Sequence, residues 1–171
     1  NKVKMNPIFF ATPTDFRFWL EKNHQLETEL LVGFYKTTTY KPSMTWTQSV
    51  DQALCFGWID STTKSLGKDS FMQFFCKRKK ASVWSKINKA KVQRLIKEGL
   101  FMQAGYESIE IAKQNGYWSI LDEVEELIIP KDLEKAFKTR KGSKAFFAGL
   151  SKSVRKAILQ WVVLAKRPET R

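Results

Sequence analysis

The hydrophobic pattern of this chain changes its period part of the way along. In the first half, short β-type runs are separated by segments with helical spacing, and the runs lie at residues 8–10, 30–35, 58–65 and 71–77. From Trp84 onwards only the helical spacing remains. Strands followed by a run of helices are typical of an α+β fold. The sequence therefore predicts a sheet of about four strands, antiparallel or mixed, packed by helices and followed by a helical C-terminal region.

Capping residues indicate where the first helices begin. Thr12 is followed by a proline and, three residues after the cap, by Asp15, which predicts a helix from residue 13. Thr45 and Gln48 form a capping-box signature ahead of a second helix. The run 30–35 is apolar throughout, so its strand is expected to be covered on both faces and central in the sheet.

The second half of the chain divides into short helices. Helices are predicted over 84–97 and 103–115, and a short acidic helix capped by Ser119 and Asp122 is predicted to end at Ile128. Pro130 opens the next helix and Ser151 the last one, whose apolar stripe is expected to pack on the core: Val154, Ala157, Ile158, Trp161 and Ala165. With a linker at 139–143, we predict an α+β core domain with its following helices, residues 1–129, and a C-terminal helical region, residues 130–171.

Charge limits the kind of partner that this chain attracts. Among 171 residues, 30 Lys and Arg stand against 17 Asp and Glu, which gives a net charge of +13. Residues 77–97 carry nine positive side chains and no acidic one. Long-range attraction therefore favours an anionic partner, although the charge alone does not specify the molecule.

Cysteine usage and hydropathy favour the cytoplasm. Cys55 and Cys76 lie in apolar surroundings without a C-x-x-C or Cys/His pattern, as expected for buried thiols in a reducing compartment. The longest wholly apolar runs, such as 161–165, fall far short of the roughly 20 residues that cross a bilayer. The sequence predicts no membrane span, no metal site and no cofactor, since His24 is the only histidine and the common nucleotide-binding motifs are missing.

The residues suited to chemistry concentrate around one predicted hairpin. If its strands pair around the turn 66–69, Asp60 and Arg78 lie near the same end, next to the start of the following helix. A helix N-terminus with hydroxyls and an arginine suits a phosphate or carboxylate, and a tryptophan can supply a stacking face. The candidate ligand-binding residues are Trp58, Asp60, Arg78, Ser82, Trp84, Ser85, Lys86 and Asn88. The alternative is structural: an Asp60–Arg78 ion pair, serines that only cap, and tryptophans in the core.

Two further functions remain open at this point. A basic strip could follow a nucleic-acid backbone without sequence preference, through Lys77, Lys79, Lys80, Lys89 and Lys97. An enzyme could use Asp60 or Cys55, although no catalytic motif is present and no base is identified for the thiol. Whether the protein is an enzyme is therefore uncertain from its sequence.

Several aromatic-rich segments together resemble a known family. They are Phe18-Trp19-Leu20-Glu21-Lys22-Asn23-His24, Ala53-Leu54-Cys55-Phe56-Gly57-Trp58-Ile59-Asp60, Ser82-Val83-Trp84-Ser85-Lys86-Ile87-Asn88 and the closing Ala165-Lys166-Arg167-Pro168-Glu169-Thr170-Arg171. In order and spacing they are similar to the YdeI/OmpD-associated family of bacterial proteins, and the resemblance extends over nearly the whole chain. It implies a cytoplasmic factor linked to bacteriocin protection or envelope stress, without a settled reaction. Where the family has two arginines this chain has Lys77-Arg78-Lys79, so a bidentate arginine role carries over only to Arg78.

Overall fold

The first part of the chain forms a sheet with two helices beside it. The computed structural model describes residues 6–171. Strand β1 (Ile8–Phe9) is followed by helix α1 (Pro13–Asn23), strand β2 (Glu29–Tyr35), a 3-10 turn (Thr37–Thr39), helix α2 (Trp46–Cys55) and strands β3 (Trp58–Ser65) and β4 (Ser70–Lys77). The predicted caps are present, because Thr12 accepts from the Asp15 amide and Thr45 and Gln48 complete a capping box.

The four strands form one mixed sheet in the order β1-β2-β4-β3. β1 runs parallel to β2, whereas β2 and β3 both pair antiparallel with β4. Trp58 lies opposite Lys77 and Asp60 opposite Phe75, with a bulge between Asp60 and Thr63. The predicted α+β class, the four-stranded mixed sheet and the central position of β2 are all confirmed.

Helices α1 and α2 cover one face of this sheet. Alternation along the strands directs Val32, Phe34 and Phe75 to the same face, where they join Phe16 and Leu54 in a buried cluster. All five are at most 1% exposed. Burial of large apolar side chains at roughly 1.5–3 kcal/mol each is the main force that holds the helices on the sheet.

The second part of the chain is helical, as predicted. It comprises α3 (Lys86–Lys97), α4 (Gln103–Asn115), α5 (Asp122–Glu125), α6 (Lys131–Lys138), α7 (Ser143–Ala148) and α8 (Lys152–Leu164). A second buried cluster gathers Leu121, Val124, Phe147 and Leu159, with Val83 packed against it. The loop before α3 therefore contacts the C-terminal helices. The division of the chain at residue 129 stays a prediction.

Three details differ from the sequence-based expectation. The acidic helix ends at Glu125. Leu127 has a positive φ of 57°, which is incompatible with a right-handed helix. The predicted linker ends in helix α7, which begins at Ser143. The expected stripe of α8 faces outward, with Trp161 59% exposed, while Leu159 and Val162 face the core. α8 is apolar on more than one side, so the pattern alone could not decide which side is buried.

No helix in the described part of the chain is long and apolar enough to cross a membrane. The longest, α4 and α8, have 13 residues each.

Candidate functional site

Arg78 leaves the sheet at the end of the β3–β4 hairpin. Its backbone N–H donates to the carbonyl oxygen of Gly57 at 2.9 Å, one residue beyond the last strand pair, Trp58 and Lys77. Gly57 has a φ of +72°, and a Cβ at this position would lie 2.8 Å from the carbonyl oxygen of Ala104. Glycine is therefore required here by both backbone conformation and space. This contact fixes where the chain turns away from the sheet and where the Arg78 side chain begins.

The Arg78 guanidinium is stacked on an aromatic ring. Its Cζ lies 3.5 Å from the ring centroid of Trp84, and Nη1 donates to the carbonyl oxygen of Val83 at 3.0 Å. The Nε and Nη2 atoms are buried and have no hydrogen-bond partner among residues 6–171. Burial lowers the pKa of Arg78 to about 10, and the opposing attraction of Asp60 does not cancel this effect. The site therefore holds a cation that is only partly satisfied.

Asp60 does not pair with this cation. Within residues 6–171, no ion pair joins Asp60 to Arg78 at 4.0 Å or less. Asp60 instead accepts hydrogen bonds at one carboxylate oxygen, from Trp46 Nε1 at 2.9 Å and from Gln73 Nε2 at 3.0 Å. The Thr63 hydroxyl in turn donates to Oε1 of Gln73. The predicted direct contact by which Asp60 would orient Arg78 is therefore absent from residues 6–171. Asp60 is held instead by a separate polar network.

The two predicted stacking residues lie inside the core. Trp58 is 0% exposed and Trp84 1% exposed. Trp58 packs edge-on against Trp19, with ring centroids 5.7 Å apart, and Trp84 packs against Trp118 at 5.0 Å. One face of Trp84 is already covered by Arg78. Neither indole offers an open face to a ligand, which agrees with the structural alternative for these two residues.

The hydroxyl and amide residues lie where the next helix begins. Ser85 caps α3, and its hydroxyl accepts from the Asn88 backbone N–H at 3.1 Å. Ser82 is half-buried, and its backbone N–H donates to the carbonyl oxygen of Lys79 in a tight turn. Lys86 is exposed. The structure thus brings Arg78 next to the start of α3, as expected, while ligand binding by these residues stays a prediction.

The predicted basic strip is only partly available to a partner. Lys77, Lys79, Lys80 and Lys97 are exposed. Lys89 is half-buried and forms an ion pair with Asp122 at 2.6 Å, while its Nζ lies 5.0 Å from the Trp118 ring centroid. Lys89 therefore stabilises the contact between α3 and the following helices.

Four residues around the site were not among the predicted site residues. Trp118 continues the stack formed by Arg78 and Trp84, and Lys113 lies over its ring at 5.5 Å. Trp46 and Gln73 hold Asp60. The polar Gln73 within the apolar run of β4 could have indicated this network, because a buried side-chain amide needs hydrogen-bond partners. Nothing in the sequence indicated which carboxylate would supply them.

Comparison with known families divides the chain into two parts. Residues 8–108, more than half of the chain, match the model described as a domain of unknown function (DUF8412). Residues 126–171 match the model described as Bacteriocin-protection, YdeI or OmpD-Associated. Neither a curated protein nor a solved structure matches the chain.

The expected resemblance to the YdeI/OmpD-associated family is confirmed for the C-terminal segment alone. Its extension over nearly the whole chain is not supported, because the motifs at 18–24, 53–60 and 82–88 lie in the part that matches the other model. The chain therefore belongs to the DUF8412 family of domains of unknown function, and it carries a C-terminal segment of the bacteriocin-protection, YdeI or OmpD-associated family.

Proposed function

We propose that this protein binds a small anionic ligand at Arg78. The observation that carries the proposal is the pair of buried guanidinium nitrogens, Nε and Nη2, without a partner in the described chain. A buried charge with unused donors costs several kcal/mol unless a partner is supplied. An anion that accepts from both nitrogens would supply it.

The geometry of the unused edge defines the chemistry of the ligand. In a guanidinium group, Nε–H and the adjacent Nη2–H point in nearly parallel directions and match two oxygens of a carboxylate or phosphate. Nη1, on the other side, is already engaged by Val83. Stacking on Trp84 keeps the guanidinium plane in one orientation. The preferred ligand is therefore a carboxylate or phosphate that binds in the guanidinium plane.

We infer that a ligand reaches this edge when the tight turn 79–82, which lies between β4 and α3, moves while Val83 and Trp84 keep holding the guanidinium. Both unused nitrogens are buried in the structure. Lys79 and Lys80 on the same loop are exposed and would attract the anion before it enters. We expect the ligand to bind beneath a displaced loop rather than in an open pocket.

The family match of the C-terminal segment supports the cellular role that we propose. The C-terminal segment matches a family that is described by bacteriocin protection. Anion binding would be the molecular contribution of this chain to a protective role of that kind. As part of the same proposal, the protein works in the cytoplasm, where its free thiols, Cys55 and Cys76, would remain reduced.

A second candidate function rests on the exposed lysines. Lys77, Lys79, Lys80 and Lys97 form no ion pair within residues 6–171, and the whole chain carries a net charge of +13. These side chains could neutralise phosphates of a nucleic acid, whose binding would then fall steeply with salt. The enzymatic alternative through Cys55 has less support, because this thiol is fully buried and burial raises its pKa.

A thermal-shift titration separates these functions. The probes are inorganic phosphate, citrate, a nucleoside monophosphate and a short oligonucleotide, each at low and high salt. Binding to the native state raises the melting temperature, and a ligand at 100 times its Kd adds about 2.7 kcal/mol of stability. The proposal requires a salt-tolerant rise with one small anion that Arg78→Met removes. Lys64→Met, at an exposed lysine on β3, is the matched control and should retain the rise.

Other outcomes would overturn the proposal. A rise that persists in Arg78→Met would place the anion elsewhere. Stabilisation by the oligonucleotide alone, lost at high salt, would support the basic surface instead.

A further inference from the structure

A second concave site lies on the other side of Asp60 from the Arg78 stack. The cavity is lined by the end of β2, the connection after it and the first residues of α2, and its volume is about 460 Å³. We call it the Trp46 pocket; its lining includes Phe71 and Trp46 and reaches the buried Phe34. Small-molecule sites in proteins begin at about 300 Å³, so the pocket has room for a ligand with one or two rings.

Its apolar wall is aromatic and held in place. Phe34 and Phe71 lie opposite each other on β2 and β4, and their rings are stacked 5.0 Å apart at 10°. Trp46 is 50% exposed, and its indole N–H is fixed by Asp60 Oδ2. A half-exposed indole with a fixed orientation presents a flat face that is ready to stack on another ring. The wall therefore favours a planar, ring-bearing ligand over an aliphatic chain.

The polar rim carries positive charge and hydroxyl groups. Lys36 lines the pocket, is exposed, and has no ion pair among residues 6–171. The lining contains the hydroxyls of Thr37, Thr38, Ser43 and Thr45 and no carboxylate. Asp60 is engaged by Trp46 and Gln73, and Asp69 contacts Lys36 through its backbone carbonyl. A ligand with one acidic group could therefore pair with Lys36 without meeting a competing acidic side chain in the lining.

We propose that the Trp46 pocket binds a small planar aromatic ligand that carries one acidic group, such as an aromatic carboxylate. The ring packs against Trp46 and Phe71, and the acidic group lies at the rim beside Lys36 and the threonine hydroxyls. This site shares no side chain with the Arg78 stack, so it does not depend on the function proposed above.

Calorimetric titration with 2-naphthoate tests this proposal. Its matched neutral probe is 2-naphthalenemethanol, which has the same ring without the charge. We expect binding of the acid in the millimolar range or tighter, a Kd of about 1 mM or below. The acid should bind at least about threefold more tightly than the alcohol, because one charge-assisted contact is added.

Three variants assign the site. Thr38→Trp should abolish binding, because Thr38 is exposed and a large side chain there fills the cavity without disturbing the core. Lys36→Gln should weaken the acid about threefold to tenfold and leave the alcohol unchanged. Lys68→Gln, at another exposed lysine, should leave both affinities unchanged.

The proposal is overturned if neither probe binds at millimolar concentration, or if Thr38→Trp binds as well as the unmodified chain. Equal affinity for the acid and the alcohol would show that the pocket does not recognise an acidic group, which contradicts the proposed ligand class. Loss of naphthoate binding in Arg78→Met would show that the anion binds at the Arg78 stack and not in the Trp46 pocket.

Discussion

Replacing Arg78 by methionine should leave the protein folded and close to its original stability. Two contacts are lost: the hydrogen bond from Nη1 to Val83, worth about 1.5–3 kcal/mol for a charged donor, and the stacking on Trp84, worth about 0.5–2 kcal/mol. Against this loss, burial lowers the pKa of Arg78 to about 10. A fall of that size corresponds to roughly 3 kcal/mol of penalty on the charged form at neutral pH.

The two effects nearly cancel. We expect Arg78→Met to lower the free energy of unfolding by no more than about 2 kcal/mol at pH 7, since methionine keeps an apolar contact with the Trp84 ring. Urea unfolding followed by far-UV circular dichroism measures this difference. A loss of about 3–5 kcal/mol, as for a broken buried charge pair, would refute the reasoning and make Arg78 a structural residue.

Arg17→Met is the matched control for this experiment. Arg17 is also half-buried, but its Nη1 donates to Gln52 and its Nη2 to the carbonyl oxygen of Leu100 at 2.7 Å. Its replacement leaves these acceptors without a donor, so it should cost more than Arg78→Met.

High pH gives an independent check on the Arg78 penalty. The pKa of Arg78 is lower in the folded than in the unfolded state, so the unfolded chain binds more protons above about pH 10. The penalty is complete below that pH and is relieved as the pH rises through it. The unmodified chain should therefore gain stability relative to Arg78→Met between pH 9 and about 11. A constant difference across this range would contradict the lowered pKa.

Three other predictions follow from burial and close packing. Leu159→Ala should cost about 2–5 kcal/mol, whereas Trp161→Ser should change the free energy of unfolding by less than about 1 kcal/mol, and urea unfolding of both variants checks which side of α8 is buried. Burial raises the pKa of the Cys55 thiol, so this thiol should stay unmodified by iodoacetamide at pH 8 until the protein unfolds, as peptide mass spectrometry would show. Gly105→Ala should destabilise by about 1–3 kcal/mol or more in thermal unfolding, because its Cβ would lie 2.6 Å from the Cys55 carbonyl oxygen.

Most of the fold could be predicted from the sequence because the capping residues and the spacing of apolar residues indicated the same helices and strands. Capping residues gave the start of α1 and α2, and the switch from strand to helix spacing gave the α+β class. α8 shows where this reasoning fails. Apolar residues occur on more than one of its sides, so the choice between Leu159 and Trp161 depended on the shape of the remaining core, which the sequence pattern does not contain.

Only the approximate location of the candidate site could be predicted from the sequence. Pairing of the hairpin put Asp60 and Arg78 near one end, as expected. Their contacts were not predictable, because Asp60 still lies within the strand ladder while Arg78 lies just beyond it. Within the ladder, alternation puts Asp60 and Gln73 on the same face, but the sequence does not show that Trp46 of α2 also reaches Asp60. Beyond it, no periodic rule applies, and packing against Trp84 decided the direction of the arginine.

The Arg78 stack also connects the two family segments physically. Arg78 donates to the backbone of Val83, and the Val83 side chain packs on the C-terminal cluster around Leu159. Val83 therefore joins the Arg78 stack to the C-terminal cluster through its backbone on one side and its side chain on the other. The proposed anion site thus lies where the DUF8412 part of the chain contacts the C-terminal segment.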